Sequence, residues 1–299
     1  MAATILDPFL ERRVRLSLES DSLELTQGDR VMLLETCPPR AGSISRREFV
    51  RAGAGALAWP LLAGCGGGSP LDPGSLPEPD PRLTARPGLP DLDPELGASQ
   101  LGIGSLRDGL LYVPTSYSSD KPMSLFVALH GAGGAGSAWG SYNARAEARG
   151  FILLTPDSRD ATWDVALGGF GPDVEFIDQA LAHTFRRCRV DPARIALAGF
   201  SDGASYALSL GVSNGDLFSH LIAYSPGFYL PSPPIVGRPP VFLSHGLRDP
   251  VLPVTTSRDF IVPSFRAEGY EVTYEEFDGG HEVPPPITEL ALDWFTGSG

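Results

Sequence analysis

From residue 108 onward, short apolar runs alternate with longer stretches in which apolar residues recur every three or four positions. The runs at 110–113, 124–129, 151–155, 195–198, 221–224, 241–244 and 272–277 read as strands. Helical periodicity covers 137–149, 173–187, 204–210, 256–268 and 287–295; within 173–187, Val174, Ile177, Ala180, Leu181 and Phe185 share one face. Near-continuous apolar strands are the mark of a sheet buried on both faces. The expectation is a single α/β domain with a mostly parallel central sheet flanked by helices and no internal repeat.

Upstream the pattern changes. Residues 66–100 hold eight prolines and six glycines with few aromatics, a composition that cannot bury enough apolar surface to offset its ordering entropy. The segment 66–104 is therefore expected to be a flexible tether to a catalytic domain over 105–299. Before it, Arg46-Arg47 precede a small-residue apolar run at 52–63 that ends in Leu62-Ala63-Gly64-Cys65. Paired arginines ahead of such a run resemble a twin-arginine export signal, and the tetrapeptide resembles a lipobox whose Cys65 would be lipidated after cleavage. The plain alternative is an apolar helix behind two surface arginines. Residues 1–44 precede any normal signal and are expected to be a disordered extension or a mis-assigned start, with Met32 as the alternative first residue.

Charge and cysteines narrow the setting. The net charge of −13 lies downstream of residue 64, because the first 64 residues hold eight basic and eight acidic side chains. Such a surface repels nucleic acid. No apolar stretch approaches the ~18 residues of a membrane span. If Cys65 is acylated and Cys37 removed with the signal, Cys188 is the one cysteine left and no intramolecular disulfide can form. The implied protein is a monomer exported by the twin-arginine route and lipid-anchored at the cell envelope, with its membrane contact made by the lipid.

The chemistry starts at Ser201, in Gly199-Phe200-Ser201-Asp202-Gly203 directly behind the apolar run 195–198. Strand, G-x-S-x-G and helix form a nucleophile elbow, a turn so sharp that its flanks must be small. Gly211-Val212-Ser213-Asn214-Gly215 matches the same pattern but follows a helix-like stretch, so Ser213 is the decoy. Asp249 follows the run 241–244 in His245-Gly246-Leu247-Arg248-Asp249, and His281 follows 272–277 in Gly279-Gly280-His281. The order Ser, Asp, His is that of α/β-hydrolases and differs from chymotrypsin and subtilisin. His130-Gly131-Ala132-Gly133-Gly134 opens behind the run 124–129, where a second oxyanion donor is expected.

These segments, with Asp191-Pro192-Ala193-Arg194 before the elbow strand, resemble the α/β-hydrolase superfamily and within it the phospholipase/carboxylesterase and polyhydroxybutyrate-depolymerase-like serine esterases. The likeness spans roughly 108–294. It implies an acyl-enzyme mechanism with Ser201 as nucleophile, His281 as base and Asp249 as its partner, and the backbone N–H groups of Ala132 and Asp202 as the oxyanion hole. Such chemistry needs no metal and no organic cofactor. Asp278 is the alternative carboxylate, and His130 and His245 read as loop-structuring groups. Trp163 is expected either to line the substrate pocket or to pack the domain, and Phe228 and Tyr229 to wall the pocket. Residues 225–239, with five prolines and two glycines, cannot build a helical lid. The leading function is hydrolysis of a small-molecule or polymeric carboxylic ester. An amidase or peptidase on the same fold, and a non-catalytic binding lipoprotein, are the alternatives.

Overall fold

A computed structural model describes four strands between residues 3 and 34, residues 80–104 and residues 106–297. The segment 45–65, with the arginine pair and Cys65, lies outside the described residues. The chain divides into two compact units, Met1–Gly66 and Gly67–Gly299.

In the first unit, strands β1 (Ala3–Leu6), β2 (Arg13–Glu19), β3 (Ser22–Gln27) and β4 (Arg30–Leu34) form an antiparallel meander in the order β1-β2-β3-β4. These strands stand where the sequence reading expected a disordered extension or a mis-assigned start. Val14, Leu16 and Leu18 alternate with Arg13, Arg15, Ser17 and Glu19, the period-2 signal of a strand. The register continues the pattern, with Leu16 opposite Leu25 and Leu18 opposite Leu23.

The second unit contains an eight-stranded sheet in the order β12-β11-β10-β9-β7-β8-β6-β5. Its strands are β5 (Gly97–Gln100), β6 (Gly109–Val113), β7 (Met123–Leu129), β8 (Phe151–Pro156), β9 (Val190–Phe200), β10 (His220–Tyr224), β11 (Val241–Gly246) and β12 (Val272–Phe277). Pairings from β8 through β12 are parallel, and β5–β6 and β6–β8 are antiparallel. Both faces are covered, as the apolar runs require. Leu125, Val127, Leu129, Ile195 and Leu197 enter one core cluster, while the intervening Phe126, Ala128, Ala196 and Ala198 enter the other.

Helices α1 (Asn143–Arg149), α2 (Pro172–Arg187), α3 (Asp202–Gly211) and α4 (Val262–Ala267) connect strands, and α5 (Pro285–Thr296) follows β12. Two expected helices are interrupted. The stretch 137–149 begins as a 3-10 turn, Gly136–Tyr142, because Gly136 lies against β8, where an added Cβ would sit 2.0 Å from the Thr155 carbonyl. The stretch 256–268 begins as a π-helical turn, Thr256–Ile261, and becomes α-helical only around Pro263, which has no N–H to donate to the preceding turn.

The tether boundary also moves. Residues 80–104 lie against the domain and end in β5. Asn214 accepts the Leu83 N–H at 2.8 Å and donates to the Pro81 carbonyl at 2.8 Å. Asp216 binds both Arg82 and Arg86, Asp178 accepts the N–H of Thr84 and Ala85, and Arg186 pairs with Asp91. Leu83 and Leu101 are buried in the core. Proline lowers the entropy of the free chain, so a few anchors suffice to hold this strap.

The site is set by topology. β7 runs on to β8 on one side of the sheet, and β9 starts the other half, so a crevice opens between the carboxyl ends of β7 and β9. The glycine-rich loop and Ser201 stand on its two sides. Among the described residues, 225–239 contain no helix and no cap domain covers the crevice.

Candidate active site

Ser201 joins β9 to α3 at φ 57° and ψ −122°, left-handed backbone for a residue with a side chain. Such geometry costs roughly 1–3 kcal/mol. Neighbouring bonds hold it: the Ser201 N–H donates to the Tyr224 carbonyl at 2.9 Å, and the Ser201 carbonyl accepts the N–H of Ala204 and Ser205. The flanking glycines are steric necessities. A Cβ on Gly199 would lie 2.1 Å from the Gly203 carbonyl oxygen, and one on Gly203 would lie 2.3 Å from that of Leu129.

The Ser201 hydroxyl donates to His281 Nε2 at 2.8 Å, and His281 Nδ1–H donates to Asp249 Oδ2 at 2.6 Å. The loops carrying Asp249 and His281 meet back to back, with the Leu247 N–H on the Phe277 carbonyl and the Arg248 N–H on that of Gly279. Their closeness explains Gly246, whose added Cβ would sit 2.2 Å from the Gly280 carbonyl. The Asp249 side chain is fully covered. Burial pushes its carboxyl up, but the bonds from His281 and from the N–H groups of Leu252 and Val251 outweigh that and leave it below its ordinary value. Asp278, the alternative, pairs with Arg248 on the surface.

Gly131 lies against Ser201, where its added Cβ would sit 3.3 Å from the serine Cβ, and the N–H groups of Ala132 next to it and of Asp202 bond to no acceptor among the described residues. The loop is held by its neighbours. Gly133 N–H donates to the Ala161 carbonyl and Gly134 N–H to that of Gly131. His130 Nε2 accepts the Ser158 N–H at 3.0 Å, which leaves Nδ1–H to donate to the Gly131 carbonyl at 2.8 Å. Burial, aided by the Arg107 guanidinium, lowers the His130 pKa and keeps the ring neutral. Arg107 donates to the carbonyls of Ser158 and Gly134, tying the loop to the segment just after β8. Its partners lie 51 and 27 residues away, so no local pattern marks it. His245 is buried beside Asp249. Its Nε2–H donates to the Leu252 carbonyl at 2.8 Å and faces Asp249 Oδ2 at 3.4 Å, while the Ser257 hydroxyl donates to Nδ1.

Other expected residues lie elsewhere. Trp163 is fully buried, stacks between His130 and Tyr206 and donates its indole N–H to the His130 carbonyl at 2.8 Å. It packs under the glycine-rich loop and lines no opening. Ser213 is buried and donates to the Ser232 carbonyl. An open cavity of about 430 Å³ adjoins His281, with Trp139, Tyr142, Arg145, Phe200 and Val283 among its walls; Phe228 and Tyr229 do not line it, and Tyr229 stacks on Phe265 instead. Cys188 is buried, which pushes its thiol up to about 12 and keeps it unreactive.

A family model described as phospholipase/carboxylesterase matches residues 173–286, the stretch holding Ser201, Asp249 and His281. The chain is an esterase-type α/β-hydrolase. It is similar to a probable feruloyl esterase C of Aspergillus flavus, with 26% identity over 215 residues covering 60% of this chain and 77% of the relative. The fold of this hydrolase is shared with S-formylglutathione hydrolase (FrmB) of Staphylococcus aureus, at 17% identity and TM-score 0.54 over 70% of this chain and 100% of that one. Esterase PE8 matches with 23% identity and TM-score 0.50 over 63% of this chain and 97% of its own.

Proposed function

We propose that this hydrolase cleaves carboxylic esters through a covalent acyl-enzyme on Ser201. The observation that carries the reading is the unbroken relay from Ser201 through His281 to Asp249. An unassisted hydroxyl is a poor nucleophile, so His281 Nε2 takes its proton as Oγ bonds to the ester carbon. The carbonyl π electrons move onto oxygen, where the free N–H groups of Ala132 and Asp202 stabilise the charge. Asp249 holds Nδ1–H and stabilises the imidazolium. Collapse breaks the bond to the alcohol oxygen, which receives the proton from His281. Water then attacks the acyl-enzyme by the same route and releases the acid and free Ser201. The similarity to feruloyl esterase C supports aryl-substituted acids among the substrates.

Ser201→Ala and His281→Ala should each lower kcat by on the order of 10⁶-fold, and Asp249→Ala by on the order of 10⁴-fold. Ser213→Ala should remain active. A fluorophosphonate probe should label the wild type and miss Ser201→Ala; labelling that persists in that variant would reject the assignment. Matched ester and anilide substrates separate esterase from amidase action.

A further inference from the structure

The relay decides which half of an ester the cavity beside His281 takes. A tetrahedral intermediate on Ser201 has four substituents: Oγ, the oxyanion, the acyl chain and the leaving oxygen. The oxyanion is directed at the N–H groups of Ala132 and Asp202. The leaving oxygen must come within hydrogen-bond reach of His281 Nε2, since that atom returns the proton. The cavity is built on the flank of that imidazole. Its walls include His281 itself, Glu282, Val283 and Pro285 directly after it, and Phe200, whose ring lies 4.7 Å from the imidazole ring. His130 and Gly131 at the start of the glycine-rich loop also line it, whereas Ser201, Ala132 and Asp202 do not.

We infer that this cavity is the leaving-group subsite and that it accepts a ring-sized, hydroxylated alcohol. The inference rests on the acyl-enzyme reading above. At about 430 Å³ the space is far larger than a methyl or ethyl alcohol needs and falls in the range of small-molecule sites. Part-exposed Phe200 supplies apolar surface for a ring face, with Trp139 and Tyr142, 5% and 4% exposed, packed into the wall behind. Arg145 and Glu282 supply a donor and an acceptor for hydroxyls. Arg145 is held in place by Glu289 at 2.8 Å and by the Ser141 carbonyl at 3.0 Å, so its charge is already balanced and favours a neutral alcohol over an anionic one. Specificity for the alcohol would then sit on the turn 136–142, on Arg145 of α1 and on the loop after His281, separate from whatever reads the acid.

The test uses esters of one acid with methanol, cyclohexanol and glucose, and follows acylation and deacylation separately by stopped flow. Acylation should be at least roughly tenfold faster for the ring alcohols than for methanol, and fastest for glucose. Deacylation should be common to all three, because the alcohol has left. Val283→Trp, which fills the cavity, should cut the ring-to-methyl ratio in acylation by about tenfold or more; Arg145→Gln should cut the glucose-to-cyclohexyl ratio. If Val283→Trp instead slowed deacylation of the shared acyl-enzyme as much as its formation, the cavity would hold the acid and the inference would be wrong. An alcohol-independent acylation rate in the wild type would reject it without any variant. Turnover that survives in Ser201→Ala would reject the acyl-enzyme reading instead, so the two failures are distinct.

Discussion

Gly203 has no room for a single extra carbon. The atoms that an alanine Cβ would meet, the carbonyl oxygens of Leu129 at 2.3 Å and His130 at 2.5 Å, belong to backbone that cannot swing aside. Gly203→Ala should therefore destabilise the fold by about 3 kcal/mol, the upper range of overpacking, besides displacing the serine. Gly169→Ala is the control, since nothing lies within 4 Å of its added carbon. Urea unfolding of the two variants checks this, and equal midpoints would refute it. The same scale shows what residue identity conveys. Ser201, Asp249 and His281 can be picked from their loops because nucleophile, carboxylate and base each follow a strand, apolar for the first two and half-buried for the third. Arg107, Ser257 and Thr162, whose hydroxyl donates to Asp202 at 2.6 Å, carry no such mark. Their roles come from partners distant in sequence.

Between β8 and α2 a loop is closed by two carboxylates that exchange bonds. The Asp164 N–H donates to Asp173 at 2.7 Å and the Asp173 N–H donates back at 2.8 Å. Burial, with the nearby Asp173 charge, raises the Asp164 carboxyl to about 6. A folded value above the ordinary one near 4 means that this group favours folding below pH ~4 and loses that contribution as pH rises through about 6. Asp164→Asn keeps an acceptor but cannot ionise. It should match the wild type near pH 4 and exceed it at pH 8 by about 1 kcal/mol, solvent screening included. Thermal melts at the two pH values check it, and a gap of equal size at both would contradict the argument. The strap over 80–104 is the other element that behaves unexpectedly. The Arg82 and Arg86 pairs with Asp216 are part-exposed and contribute about 1 kcal/mol or less, whereas burial of Leu83 stabilises more. Leu83→Ala should cost about 2–3 kcal/mol and open 80–96 to trypsin; Asp216→Asn should do so far less. The reverse ranking would mean that charge, not burial, holds the strap.

At the scale of the whole molecule, the domain carries its chemistry in a crevice without a cap, and we propose that it is delivered to the cell envelope by the segment 45–65. Durable anchoring needs more than one acyl chain. Cys65→Ser should abolish incorporation of radioactive palmitate and release activity into the soluble fraction. Equal labelling of the variant would sink the lipobox reading.

Composition misled where it was used as a rule about order. Proline and glycine made 80–104 read as tether, yet proline also reduces the entropy lost on docking, and what decides is whether a surface such as Asn214, Asp216 and Asp178 stands ready to receive the chain. No count along the sequence contains that surface. Periodicity, by contrast, is a local consequence of which face each residue presents, so the seven catalytic-domain strands read from apolar runs and the helix over 173–187 were legible before any contact was known. The strict alternation over residues 13–19 is equally local. The chain by itself therefore determined the α/β class, the elbow and the order of its three chemical residues. Tertiary structure decided that Asp249 rather than Asp278 meets His281, that Trp163 supports the loop from beneath, and that the open space lies on the histidine's flank. Those outcomes depend on which loops the parallel sheet brings to one end, a relation between residues tens of positions apart that no local pattern encodes.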